Sequence, residues 1–191
     1  MITQVSSFET LLSHPRVVFD CDHPSFGADL ESLVNLAHVH RIPISVLDSQ
    51  PAALISNITV FENLWTPLAW RYGCSPARLR STLSELLDHV APELCFSTYD
   101  LHSLLPKRPN ELSLVQRCSV ILIRALLLQP KLILLSPEWL ADLLAGEMNS
   151  PLLDLMNSSF PQATLAALPS LALMHDPYFD NWAKLSVLSA I

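Results

Sequence analysis

Glycine is scarce in this chain: Gly27, Gly73 and Gly146 are its 3 glycines in 191 residues. The pattern GxxxxGK[ST], in which glycine amides wrap phosphates, is absent. Lysine is scarce too, confined to Lys107, Lys131 and Lys184, and no run of Lys or Arg exists in a chain of net charge -7. Nucleic-acid binding needs clustered cations to displace counterions, so that class is excluded. Only 15% of residues are charged, against roughly 25% in ordinary domains. A surface so poor in charge is expected to be covered in part by a partner. The cysteines, Cys21, Cys74, Cys95 and Cys118, never fall at CxxC spacing. A zinc knuckle or thioredoxin-type motif is thereby excluded, and the thiols are expected to be reduced and buried. The most apolar stretch, Ser119 to Leu135, is broken by Arg124, Gln129, Pro130 and Lys131, so it reads as a helix followed by a buried strand rather than a membrane span. Met1 to His14 lacks the basic start and apolar run of a signal peptide.

What the chain has is apolar residues, 50% of the total, enough for one main lobe with a smaller subdomain. Val17 to Phe19 is a β-branched run closed by Asp20-Cys21-Asp22-His23-Pro24, a strand and a loop. From Gly27 to His40, Leu30, Leu33, Val34 and Ala37 fall at helical spacing. Ile42 to Leu47 is a second strand, and Thr59 to Tyr72 a helix with its entry. Ser75-Pro76 opens another helix, with Leu79, Leu83, Leu86, Leu87 and Val90 in a stripe. Helices follow near Ser97 to Leu105, Ser113 to Leu128, Trp139 to Ala145 and Pro151 to Met156. Lys131 to Leu135 is apolar almost throughout, as a strand buried on both faces must be. Thr164 to Met174 reads as a strand region and Tyr178 to Ala183 as a helix. Strands separated by helices imply a parallel sheet covered on both sides.

Four segments, in order, resemble the ATP-binding subunits of ABC transporters. Ser45 to Gln50, then Pro51 to Asn57 and Ile58 to Leu68, is similar to the strand ending in the Q-loop glutamine, its turn, and the "T-V-x-E-N" helix start. Pro109 to Arg117, then Ile121 to Lys131, resembles "P-x-x-L-S-G-G-Q" and the "A-R-A-L" helix. Leu132 to Glu138 occupies the place of the Walker B strand, and Leu171 to Pro177 that of the switch strand ending in "T-H-D". The likeness covers roughly Ile42 to Leu188 and is nearest to lipid-trafficking and small-solute transporter ATPases.

The resemblance implies an α/β, P-loop-NTPase-like, mostly parallel sheet. The core lobe spans 1–58 and 113–191, with a helical subdomain over 59–112 and the antiparallel β subdomain reduced or missing. It assigns Gln50 to the Q-loop, Ser113 and Gln116 to the signature, Ser136 and Glu138 to Walker B, and His175 to the switch. The chemistry departs from the pattern. The signature glycines are Leu114 and Val115, Ser136 stands for the magnesium-binding aspartate, and Pro137 for the carboxylate that polarises water. Glu138 is displaced by one position. The lost phosphate loop has two registers. Either Ser7 to Leu12 is its remnant, with Phe8 in the lysine's place, or it follows Val17 to Phe19, with Ala28 there and Asp20, Asp22 and Asp29 along it. Phosphoryl transfer depends on such charges, each worth several kcal/mol. The expectation is therefore a pseudo-ATPase, not an enzyme, without cofactor or metal.

Such a subunit implies a membrane permease and a second ATP-binding subunit as partners, in homo- or heterodimer, on the inner face of the membrane. Lipid transport is the implied system. Phe61, Trp65, Trp70 and Tyr72 are candidate partner-binding aromatics. Ser113 and Gln116 also have the spacing of a plain capping box. Two rivals stand beside this reading: a metal-dependent hydrolase using Asp20, Cys21, Asp22 and His23, and a stand-alone adaptor.

Overall fold

The computed structural model describes residues 3–4, 11–19, 30–50, 53–90, 98–144, 163–168, 170, 173 and 176–186. Six strands are formed: β1 (Thr3–Gln4), β2 (Arg16–Phe19), β3 (Ile44–Leu47), β4 (Leu132–Leu135), β5 (Thr164–Ala167) and β6 (Ala183–Ser186). They make one sheet in the order β1-β6-β2-β5-β4-β3, and every pair is parallel. The α/β class and mostly parallel sheet expected from the sequence are therefore present, and no antiparallel pair occurs among the described residues.

Burial explains the composition of the strands. Leu132 to Leu135 and Thr164 to Ala167 are buried at every position, so both faces of β4 and β5 are covered. Edge strand β3 alternates half-buried and buried residues instead. One face packs Val17, Phe19, Leu132, Leu134 and Ala166 against Leu33 and Ala37 of helix α1 (Leu30–Val39). The Thr164 hydroxyl, inside this apolar layer, donates to the His14 carbonyl at 3.0 Å, which removes the penalty of burying it.

The chain divides into two compact units. The first comprises Met1–Asp48, Gln129–Asp142 and Phe160–Ile191 and carries the sheet. The second, Ser49–Leu128 and Leu143–Ser159, carries helices α2 (Val60–Tyr72), α3 (Pro76–Val90), α4 (Thr98–Leu104) and α5 (Leu114–Leu128). A short helix α6 (Pro137–Leu144) follows β4.

Helix α2 starts with a reciprocal cap. The Glu62 carboxylate accepts the Thr59 amide and hydroxyl, each at 2.8 Å, and the Glu62 amide donates to the Thr59 hydroxyl at 3.2 Å. Gly73 closes the helix with φ 62, where its amide donates back to Ala69. Pro67 inside α2 removes one amide without ending the helix.

With so few glycines, other residues take left-handed backbone. Arg41 (φ 54) closes α1, and Gln129 (φ 45) closes α5 ahead of Pro130. Each strains its Cβ by about 1–2 kcal/mol.

Two sequence expectations are corrected. Among the described residues the strand near the C-terminal part of the chain covers Thr164–Ala167: Leu168 and Ser170 lie outside it, and Leu173 sits in a turn, its amide donating to Ser170. Tyr178 to Ala183 is not a helix: one 3-10 turn at Pro177–Phe179 gives way at Asp180-Asn181, and Ala183 begins β6.

Two outcomes follow. Gln129→Gly relieves the left-handed strain and should raise unfolding stability by roughly 0.5–1 kcal/mol, the strain being partly offset by glycine's greater freedom when unfolded; the chemical denaturation midpoint measures it. The Thr59 backbone amide and hydroxyl hold the Glu62 carboxyl below its ordinary range. A depressed carboxyl stabilises above its unfolded value and loses that contribution as pH falls through the folded one. Wild type should therefore exceed Glu62→Gln in thermal midpoint at neutral pH, and the gap should close in acid.

Candidate functional site

The sheet register decides which residues share its carboxyl edge. Leu47, Leu135 and Ala167 are direct partners across β3, β4 and β5, and Ala167 in turn pairs with Val18 of β2. The next row is therefore Asp48, Ser136, Leu168 and Phe19. In open parallel sheets this edge is where ligands bind, at the point where successive connections diverge. That point adjoins β2: the chain runs from β2 to β3 at one edge of the sheet, but from β5 to β6 on β2's other side.

Ser136, in the place expected for Walker B, is completely buried. Its hydroxyl accepts the Trp139 amide at 3.0 Å and lies 3.2 Å from the Asp48 carboxylate, to which it donates. Its carbonyl accepts from Leu140 at 3.0 Å. Ser136 is thus the N-cap of α6, with Pro137 at the first helical position, where its missing amide is harmless. Glu138 is exposed in the first turn of α6, where a carboxylate complements the helix dipole.

The carboxylate brought to this edge is Asp48, half-buried at the end of β3. Sequence reasoning did not single it out. The available signal was its position directly after an apolar strand, in Leu47-Asp48-Ser49-Gln50.

In the helical unit, Gln50 is exposed. The segment that carries it is held by cations from α5. Arg117 Nη1 donates to the Ser49 carbonyl at 3.4 Å, and Arg124 Nη1 to the Ala53 carbonyl at 2.9 Å. Burial pushes the Arg124 guanidinium down from its usual value. Asn63 pins the next turn: its side-chain amide donates to Ile55 and Thr59 carbonyls at 3.0 Å each, and its oxygen accepts the Ile55 amide at 2.8 Å. The "E-N" pair of the motif is thereby explained as a cap and a loop staple. Ser113 and Gln116 bond reciprocally at the start of α5, amide to hydroxyl at 3.3 Å and amide to side-chain oxygen at 3.0 Å. Leu114 and Val115 beside them are half-buried.

The four aromatics of α2 do not share one face. Phe61, Trp65 and Tyr72 fall at spacings of four and seven, whereas Trp70 points the other way. Trp65 donates its indole N–H to the Cys74 carbonyl at 2.8 Å, and the Tyr72 hydroxyl reaches the Leu128 carbonyl at 3.1 Å. Trp70 is 86% exposed and has the freedom the others lack.

His175 lies outside the described residues, as do Asp20, Cys21, Asp22 and His23 of the rival cluster and most of both candidate phosphate-loop segments. The position of β2 bears on those segments. It lies inside the sheet, and α1 is the next described element after it, so the two stand in the order of the strand and helix that flank a phosphate loop. Thr3–Gln4, ahead of the other segment, is a two-residue strand at the edge.

No family model matches the chain, and no curated protein is similar enough to match. Solved structures do match. The ATP-binding cassette MJ0796, solved as a dimer in a post-hydrolysis state with ADP and Pi, is 18% identical over 84% of this chain and 77% of its own, with a TM-score of 0.51. An ATP-binding subunit of an ABC transporter is 18% identical over 91% of this chain and 74% of its own, with a TM-score of 0.56. The described residues do not by themselves fit a magnesium–triphosphate group: the Ser136 hydroxyl is already engaged, and no three His, Cys, Asp or Glu residues gather among them. Nevertheless the expectation of a non-enzyme is corrected, because the scaffold is one that MJ0796 presents directly after hydrolysis and so points toward an enzyme. The chain has the fold of ABC-transporter ATP-binding subunits.

Proposed function

We propose that this chain is an ATP-binding-type subunit of a membrane transporter, pairing with a second ATP-binding subunit and docking on a permease at the inner face of the membrane. The observation that carries this reading is the ABC-type parallel sheet, together with a helical unit in which Arg117 and Arg124 of α5 and Asn63 of α2 hold the backbone of Ser49, Ala53 and Ile55 beside Gln50. A loop that transmits motion between subunits has to be stiff against its own support. Arginine to backbone carbonyl is a charge-assisted contact suited to that. The sequence likeness of Ile58 to Leu68 to lipid-trafficking ATPases makes lipid the favoured cargo. No described helix is long and apolar enough to cross a membrane. The dimeric state of MJ0796 supports pairing.

Trp70 is the contact residue this reading favours, being a large, exposed aromatic of the kind that dominates interfaces. In detergent-solubilised native membranes, tagged wild-type chain should recover a multi-span permease and a second ATP-binding subunit. Trp70→Ala should lower that recovery by about tenfold, equivalent to about 1.4 kcal/mol, with its thermal midpoint unchanged. Trp65→Ala should instead lower the midpoint, since it orphans the Cys74 carbonyl. Recovery of no membrane protein by the folded wild-type chain would overturn the proposal. ATP turnover of the recovered complex, compared with the complex lacking this chain, measures what the subunit contributes.

A further inference from the structure

The helical unit holds a cavity of about 140 Å³ where the end of α2, the start of α3 and the end of α5 meet. Leu68, Leu79 and Leu127 form its apolar walls, and Tyr72, Cys74 and Arg78 complete most of the lining. Its volume is close to that of an apolar protein cavity able to hold one benzene-sized group. It takes one compact side chain, not an extended lipid tail.

The chain carries a net charge of -7, yet among the described residues that line this cavity the one charged side chain is Arg78. Arg71, Arg78 and Arg80 are all exposed nearby in sequence. Arg71 stacks on the Tyr72 ring at 5.1 Å, which fixes one cation beside a residue of the lining. Arg78 stands in the first turn of α3, a turn without any acidic residue. A cation there opposes the helix dipole, so the helix gains nothing from it.

We propose that this cavity is an anchor site for an acidic segment of a partner protein. One leucine- or phenylalanine-sized side chain enters between Leu68, Leu79 and Leu127, while a neighbouring carboxylate pairs with Arg78. The apolar walls supply the affinity and the arginine supplies the selection for acid, as a bidentate guanidinium does. This site does not depend on the partner being part of a transporter, nor does it involve Trp70.

The full chain is titrated against a dye-labelled peptide with one leucine flanked by glutamates, and against matched peptides with leucine replaced by serine or glutamate by lysine. The acidic leucine peptide should bind at least tenfold more tightly than either, and more weakly as salt rises. Arg78→Glu should abolish that preference and move it toward the lysine peptide. Thr82→Trp, which fills the cavity from its rim, should weaken every peptide. Ser84→Glu, outside the lining, should change nothing. A measurement without any substitution guards against unfolded variants: saturating acidic peptide should slow alkylation of Cys74 by iodoacetamide in the wild-type chain. Equal binding of all three peptides, or unaltered Cys74 labelling, overturns the proposal. So does a dimer that forms on concentration and is lost in Thr82→Trp, which assigns the cavity to a second copy. Sedimentation with anionic but not neutral vesicles, lost in Arg78→Glu, assigns it to a lipid surface and overturns it as well.

Discussion

The pairing of β4 with β3 on one side and β5 on the other is the constraint on which the rest of the α/β unit depends. Buried at all four positions, β4 has no solvent face to specify its orientation. Its register is set by backbone bonding to both neighbours and by side chains on both faces. A slip by one residue would carry Ser136 off the Asp48 carboxylate and detach the cap of α6. The same register aligns Asp48, Ser136, Leu168 and Phe19 at the carboxyl edge, so the chemistry available there is fixed by strand pairing before any side chain is chosen.

Much of this was legible because both types of signal are local. The period-3.6 apolar stripes of α1, α3 and α5 and the unbroken apolar run of β4 located those elements directly. Ser113 and Gln116 read as a capping box and form one. The failures occurred where distance in sequence matters. The 164–174 region has apolar residues enough for a long strand, but the described strand covers four residues and Leu173 already lies in a turn. Asp48 attracted no notice because its significance arises from Ser136, eighty-eight residues away. Arg117 and Arg124 fall inside the motif segments with no role of their own in the sequence reading, and only the folded chain brings them to the carbonyls of Ser49 and Ala53.

Scarcity of glycine shapes the backbone as well as the chemistry. Helix ends that glycine commonly closes are closed here by Arg41 and Gln129 in left-handed conformation. Their strain is tolerated because each adjoins a strongly packed element. Ile42, directly after Arg41, bonds back to Ala37 at 2.9 Å. Gln129 is followed by a buried Pro130 and by β4. Gly73 keeps its residue type at a similar cap, with no heavy atom within 4 Å of where a Cβ would project. The requirement there is conformational, not one of space.

Fold and chemistry therefore have to be argued separately in this molecule. A sheet order and a helical unit are collective properties, satisfied by many sequences that keep apolar patterning, and they persist at 18% identity. A phosphate or metal site depends instead on a few charges at one edge. In the row Asp48, Ser136, Leu168 and Phe19 the one carboxylate is Asp48, whose neighbour Ser136 serves a helix cap. The brace on the loop bearing Gln50 tells a different story. Arg117, Arg124 and Asn63 together engage the carbonyls of Ser49, Ala53 and Ile55. Arg124 does so at the cost of burying its guanidinium, which lowers its proton affinity. Placing a charge in such a position to hold backbone carbonyls is unfavourable unless the geometry of the loop matters. In the helical unit the buried charge thus goes to fixing backbone carbonyls of the segment that bears Gln50, and not to an ion pair.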